Sequence, residues 1–204
     1  MYALIDNMPK FVMETALSYD NQLYFNALYF PAQAILLTVG FVYKPLLVRM
    51  AQMWADAEKR NRFHLVILAI VAMVIALTLV VIFLMGWIGI PIMSFMYGVD
   101  FEQFRGLSFI MIAAGGVTAI IDFLYQVITV LRRQKSVMKL YVITFGFSLF
   151  VPILLIDFTG LPGAVIGYLI VMAILMVLLV WEYVSICLRP FQAPRFAKSC
   201  LCFR

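Results

Sequence analysis

Residues 107–131 read LSFIMIAAGGVTAIIDFLYQVITVL, and this stretch decides the fold. It is 25 residues long with one ionisable side chain, Asp122, near its middle. A membrane span needs about 20 apolar residues, so this run can cross a bilayer with some tilt. It ends at a basic turn, Arg132-Arg133-Gln134-Lys135. A lone carboxylate at that depth costs roughly 2.5–3.5 kcal/mol on insertion scales and faces protein or water rather than lipid.

Composition extends that reading to the whole chain. Of 204 residues, 66% are hydrophobic and 12% charged, with a mean hydropathy of +1.06. A soluble domain carries about 25% charged residues. The expectation is therefore an all-α, polytopic membrane helix bundle over residues 1–188, followed by a basic cytoplasmic tail at 189–204. The net charge of +5 belongs to cytoplasmic loops and not to a nucleic-acid surface. The start, MYALIDNMPK, lacks the basic-then-apolar pattern of a signal peptide. Three cysteines at 187, 200 and 202 are too few for a disulfide framework and read as plain thiols.

Outward from the opening stretch, four further spans are expected, at about 23–48, 64–93, 140–156 and 164–188. Residues 1–20 are half polar, interrupted by Pro9 and Lys10, and read as the second part of a truncated first helix. Asn26, Gln33, Gly40 and Lys44 recur at helical spacing and fall near one face of the 23–48 span. Residues 49–63 read as a charged loop containing Arg49. The span at 64–93 is apolar on all sides, so it belongs at the periphery.

The basic residues set the orientation. Thirteen of the fifteen lie in 44–62, 132–139 and the tail, and five alternating spans put all three segments on one side. The positive-inside rule makes that side cytoplasmic, with the C-terminus inside.

No catalytic motif stands out: there is one histidine, no phosphate-binding loop, and no His or Cys pair at metal spacing. His64 reads as an interfacial residue. Asp122 stands on a polar stripe with Gly115, Thr118, Gln126 and Thr129. That stripe either lines a water-filled cavity or holds two helices together. Lys10, Lys44 and Arg49 together would make a cationic lining for an anionic substrate, because Coulomb attraction strengthens in a low-dielectric cavity.

Several segments resemble one family. Asn7-Met8-Pro9-Lys10-Phe11 resembles an Asn-x-Pro-Lys-Tyr/Phe element in the seventh helix of bacterial polysaccharide flippases. LYFNALYFPAQAILLTVGFVYKPLL, from Leu23, resembles the eighth. Gln126 through Arg133-Gln134-Lys135 is similar to the end of the tenth. Gly160-Leu161-Pro162-Gly163-Ala164 resembles the turn before the twelfth. The family comprises exporters of lipid-linked oligosaccharides, relatives of the multidrug-extruding MATE transporters.

That resemblance implies one six-helix lobe of a twelve-helix fold in the bacterial cytoplasmic membrane. It implies alternating access that flips an anionic lipid-linked oligosaccharide, and a separate N-terminal six-helix half as partner. Lys10 and Lys44 would be cavity cations, with Arg49, Gln33, Asp122 and Gln126 beside them. No cofactor is implied beyond a coupling ion, H+ or Na+. The competing expectations are a MATE-type cation-coupled exporter half and a non-transporting assembly subunit. A membrane enzyme is disfavoured, since it calls for a large extracytoplasmic loop or a His/Asp/Arg cluster.

Overall fold

The computed structural model describes residues 2–16, 19–55, 60–98, 101–131 and 133–188, and it is helical almost throughout, with no strand among them. The helices are α1 (Tyr2–Ala16), α2 (Tyr19–Tyr43), α3 (Leu46–Ala55), α4 (Arg60–Leu84), α5 (Ile90–Tyr97), α6 (Arg105–Val130), α7 (Gln134–Thr159) and α8 (Leu161–Leu188). Five helical segments are long and apolar enough to cross a membrane: Asn21–Tyr43, Arg62–Phe95, Glu102–Val130, Gln134–Thr159 and Leu161–Ile186. The chain is an all-α, multi-pass membrane bundle. The tail 189–204, with Cys200 and Cys202, lies outside the described residues, as do Arg132 and residues 56–59.

The opening stretch forms α6 and sits at the centre. In its most apolar window 61% of residues are buried inside the protein, against 22% for Arg62–Phe95. That contrast separates a central helix from a peripheral one, as an all-round apolar α4 requires. Two adjacent glycines let α6 approach two neighbours at once. A Cβ on Gly115 would stand 2.5 Å from the Cβ of Ala32 on α2, and one on Gly116 would strike the Thr78 side chain on α4. Association in lipid depends on close van der Waals contact, because lipid offers apolar surface as readily as another helix does.

Two clusters fill the bundle around α6. One joins α1, α2, α6, α7 and α8 through Ile5, Phe25, Ile121, Tyr141, Tyr168 and Leu175. The other joins α2, α3, α4 and α6 through Ile35, Val39, Tyr43, Met50, Phe63 and Phe123. α7 and α8 fold into a hairpin across Gly160 alone, and α1 packs chiefly on α7.

Two boundaries differ from the sequence expectation. The span at 23–48 is not one helix. It stops at Tyr43, turns through Lys44 and Pro45, and restarts at Leu46 as α3. Pro45 has no N–H to extend the ladder and disfavours helical backbone at Lys44. Arg49 therefore lies on the exposed side of α3, not in a loop, and Met50 faces the core. α7 is also longer than 140–156, because the polar residues from Gln134 continue the helix without a break.

Between α4 and α5 the chain makes a π-helical turn, Met85–Gly89. The Ile90 N–H bonds the Met85 carbonyl, so it does not serve Gly86. The next residue, Pro91, has no N–H to offer. The Gly86 carbonyl instead accepts a hydrogen bond from the Arg105 guanidinium at 3.1 Å, which fastens the start of α6 to the turn.

Candidate functional site

Two groups of polar side chains within the bundle are each built around one carboxylate. The first is Asp6 on α1. Its Oδ1 and Oδ2 both accept from the Tyr29 hydroxyl at 2.9 Å, and Oδ1 accepts from the Tyr168 hydroxyl at 2.7 Å. The Tyr168 hydroxyl also lies 3.2 Å from Thr118 Oγ1, which donates to the Ala114 carbonyl at 2.9 Å. Three helices, α1, α2 and α8, thus meet at one carboxylate, and α6 joins them through the Tyr168 hydroxyl. The two tyrosine rings stand edge to face, with centroids 5.8 Å apart and planes at 89°.

Counting protons shows what this arrangement favours. Each phenol has one proton, and both point at Asp6. A carboxylate in this position is supplied with donors on both sides. Hydrogen bonds to an ionised group are the stronger kind. Tyr29, Tyr168 and Thr118 are buried, whereas Asp6 is only partly so. The floor of the site is closed, and its opening is at the half-buried Asp6.

Lys10 stands at that opening. It lies four residues after Asp6 on the same face of α1. Its Nζ sits 4.5 Å from the centroid of the Tyr29 ring, in cation–π geometry. Gln33, one turn beyond Tyr29, brings its amide to the same hydroxyl. Asn26 and Gln33 face outward from the bundle on α2.

The second is Asp122, one turn beyond Thr118 on α6. It accepts a hydrogen bond from the Tyr43 hydroxyl at the end of α2. Tyr43 is fully buried and packs on Phe123, with centroids 5.5 Å apart. Gln126 follows one turn on and is half-buried, while Thr129 Oγ1 is buried with no hydrogen-bond partner. The α6 stripe is therefore divided among neighbours: Gly115 meets α2, Thr118 meets α8, and Asp122 meets the end of α2.

The expected cationic lining is not gathered into one group. Lys44 lies 15 residues past Tyr29, about 22 Å along the axis at ~1.5 Å per residue. Its side chain folds back along the buried Gly40, ending about 3.6 Å from where a Cβ would be. Arg49 is beyond the Lys44-Pro45 turn on α3. Of the three cations, only Lys10 stands at the Asp6 opening. His64 is not a solitary interfacial residue: its Nδ1 lies 2.6 Å from the Tyr183 hydroxyl and ties α4 to α8.

Asp6, Tyr29 and Tyr168 are the residues that sequence reasoning missed. The Asp6/Lys10 spacing was a usable signal. The hydroxyls were not, because 23 and 162 residues separate them from Asp6. Among the described residues no three His, Cys, Asp or Glu side chains group as metal ligands would. Comparison with protein-family models, curated proteins and solved structures finds no match.

Proposed function

We propose that this chain is the C-terminal lobe of a bacterial flippase that carries a lipid-linked polysaccharide unit across the cytoplasmic membrane by alternating access. The observation that carries this is Lys10 standing beside Asp6 at a partly open site, level with the middle of α2 and α6. A charge at that depth that met lipid would cost roughly 2.5–3.5 kcal/mol. The face that holds Lys10, Asn26 and Gln33 is therefore one that meets water, substrate or another polar protein surface. A cavity shared with a second six-helix lobe supplies all three.

In this reading Lys10 contacts the anionic phosphate linkage of the substrate. Asp6 carries the coupling ion, H+ or Na+, through its exchange of hydrogen bonds with Tyr29 and Tyr168. The motif order along the chain and Lys10 at the site support an anionic cargo. A MATE-type exporter half is the second reading. Asp6 favours it, since it adds to Asp122 a second carboxylate within the bundle of the kind that a cation exporter uses.

The test is rescue of surface glycan in a strain lacking its own flippase, with the chain expressed alone and together with an N-terminal lobe. Lys10→Ala is expected to abolish rescue and Asp6→Asn to weaken it. Rescue that ignores Lys10→Ala overturns the cavity assignment. Export of cationic dyes in place of glycan moves the assignment to the MATE type. A well-inserted chain that does neither marks an assembly subunit.

A further inference from the structure

Beside the π-helical turn lies a groove of about 300 Å³, lined by Val81, Leu84, Met85, Ile88 and Gly89 and open to the outside of the bundle. We propose that it binds one phospholipid with an ethanolamine headgroup, its acyl chain in the groove, its phosphate on Arg105 and its ammonium on Glu102. The inference needs only that the bundle sits in a bilayer, and it stands whether or not the chain transports a glycan.

Depth is the first argument. Twenty-two residues separate His64 from Gly86, about 33 Å of helix at ~1.5 Å per residue, and the hydrocarbon core is ~30 Å thick. A helix that enters the hydrocarbon at His64 leaves it at the π turn. Val81 then lies among acyl chains and Gly89 at the headgroups of the opposite leaflet. Trp87, 71% exposed on the same turn, is the residue type that settles at such a boundary.

Charge is the second argument, and it selects the occupant. Arg105 reaches the turn itself, at the Gly86 carbonyl, and that bond uses one of five guanidinium donors. Glu102 lies 3.6 Å from Arg105, and the two side chains are 60% and 49% exposed. A plus–minus pair at headgroup level is complementary to a headgroup that itself carries adjacent minus and plus charges. Phosphate on the guanidinium is the favoured planar, charge-assisted contact. The ethanolamine ammonium brings N–H donors to the carboxylate. A choline headgroup has none, and a glycerol headgroup leaves Glu102 facing phosphate alone.

The test uses the full chain, purified in mild detergent and titrated with ethanolamine, glycerol and choline phospholipids of identical acyl chains. Bound lipid is read by native mass spectrometry. The ethanolamine lipid is expected to be retained above both others, by up to about fivefold over the glycerol lipid, the upper end of what one exposed ion pair supplies. Glu102→Gln removes that preference over the glycerol lipid and leaves the Arg105–Gly86 bond in place. Ile88→Trp fills the groove and reduces retention of all three. Equal retention by the unaltered chain, a preference for the glycerol lipid, or a preference over the glycerol lipid that survives Glu102→Gln overturns the proposal. So does retention unchanged by Ile88→Trp in a protein that melts normally.

Discussion

The Tyr168 hydroxyl donates to Asp6 Oδ1 at 2.7 Å, and the Tyr29 hydroxyl serves the same carboxylate from the other side. One carboxylate therefore has two donors from two helices. Either tyrosine can be lost while the other still serves Asp6. Tyr29→Phe and Tyr168→Phe are each expected to cost about 1 kcal/mol, within the range measured for hydrogen bonds between membrane helices. The double change should cost more than the sum, because it leaves a half-buried carboxylate with neither phenol. Thermal unfolding in detergent measures all three, and strict additivity would show that the hydroxyls do not share Asp6.

Asp122 offers a cleaner separation of its two possible roles. If its task is to join α6 to the end of α2, then Asp122→Ala and Tyr43→Phe should be coupled by about 0.6–1.7 kcal/mol in a double-mutant cycle. Transport would then tolerate Asp122→Asn, whose amide oxygen still accepts from Tyr43. Loss of transport by a stable Asp122→Asn protein would assign the charge itself a role.

Gly115 and Gly116 set the spacing of three helices. Leucine at either position has no room against Ala32 or Thr78. Each is expected to destabilise by about 1–3 kcal/mol, the usual cost of overpacking. Gly116→Leu should be the milder, because a side chain can rotate away and the Ala32 backbone cannot. Melting temperatures of the two variants, compared with Gly106→Ala, which meets no neighbour, check the order.

Arg105 acts on the π turn through a single carbonyl. Arg105→Ala leaves Gly86 without that donor and should cost no more than about 0.5–1.5 kcal/mol, the net contribution of one hydrogen bond, because the bond is exposed. Pro91→Ala returns an N–H to the chain at the same place. The two changes together should therefore cost less than Arg105→Ala and Pro91→Ala added. Amide exchange over residues 85–97 reads this locally.

Much of the architecture was legible because hydrophobic runs of span length have one outcome in a bilayer. The apolar runs at 107–131 and 164–188 needed no tertiary information. The break at Lys44-Pro45 was not legible in the same way, because proline at 31 and 152 stays inside continuous helices. A proline interrupts the ladder wherever it stands, and packing decides whether the helix resumes. The Asp6 site was hidden for another reason. Tyr29 and Tyr168 look like ordinary aromatic residues of their spans until three helices bring their hydroxyls together. Lys10 was visible because a lysine after a helical proline is costly in lipid without a partner.

The distance along the chain between Asp6 and Tyr168 also has a consequence for biosynthesis. A ribosome adding about 5–20 residues per second makes Tyr168 roughly 10–30 s after Asp6. Throughout that interval α1 carries a carboxylate whose second donor has not been made. Some other component of the insertion machinery, or an early pairing with Tyr29 alone, must shelter it until α8 emerges. A ribosome that stalls before α8 leaves Asp6 with Tyr29 but without the Tyr168 hydroxyl.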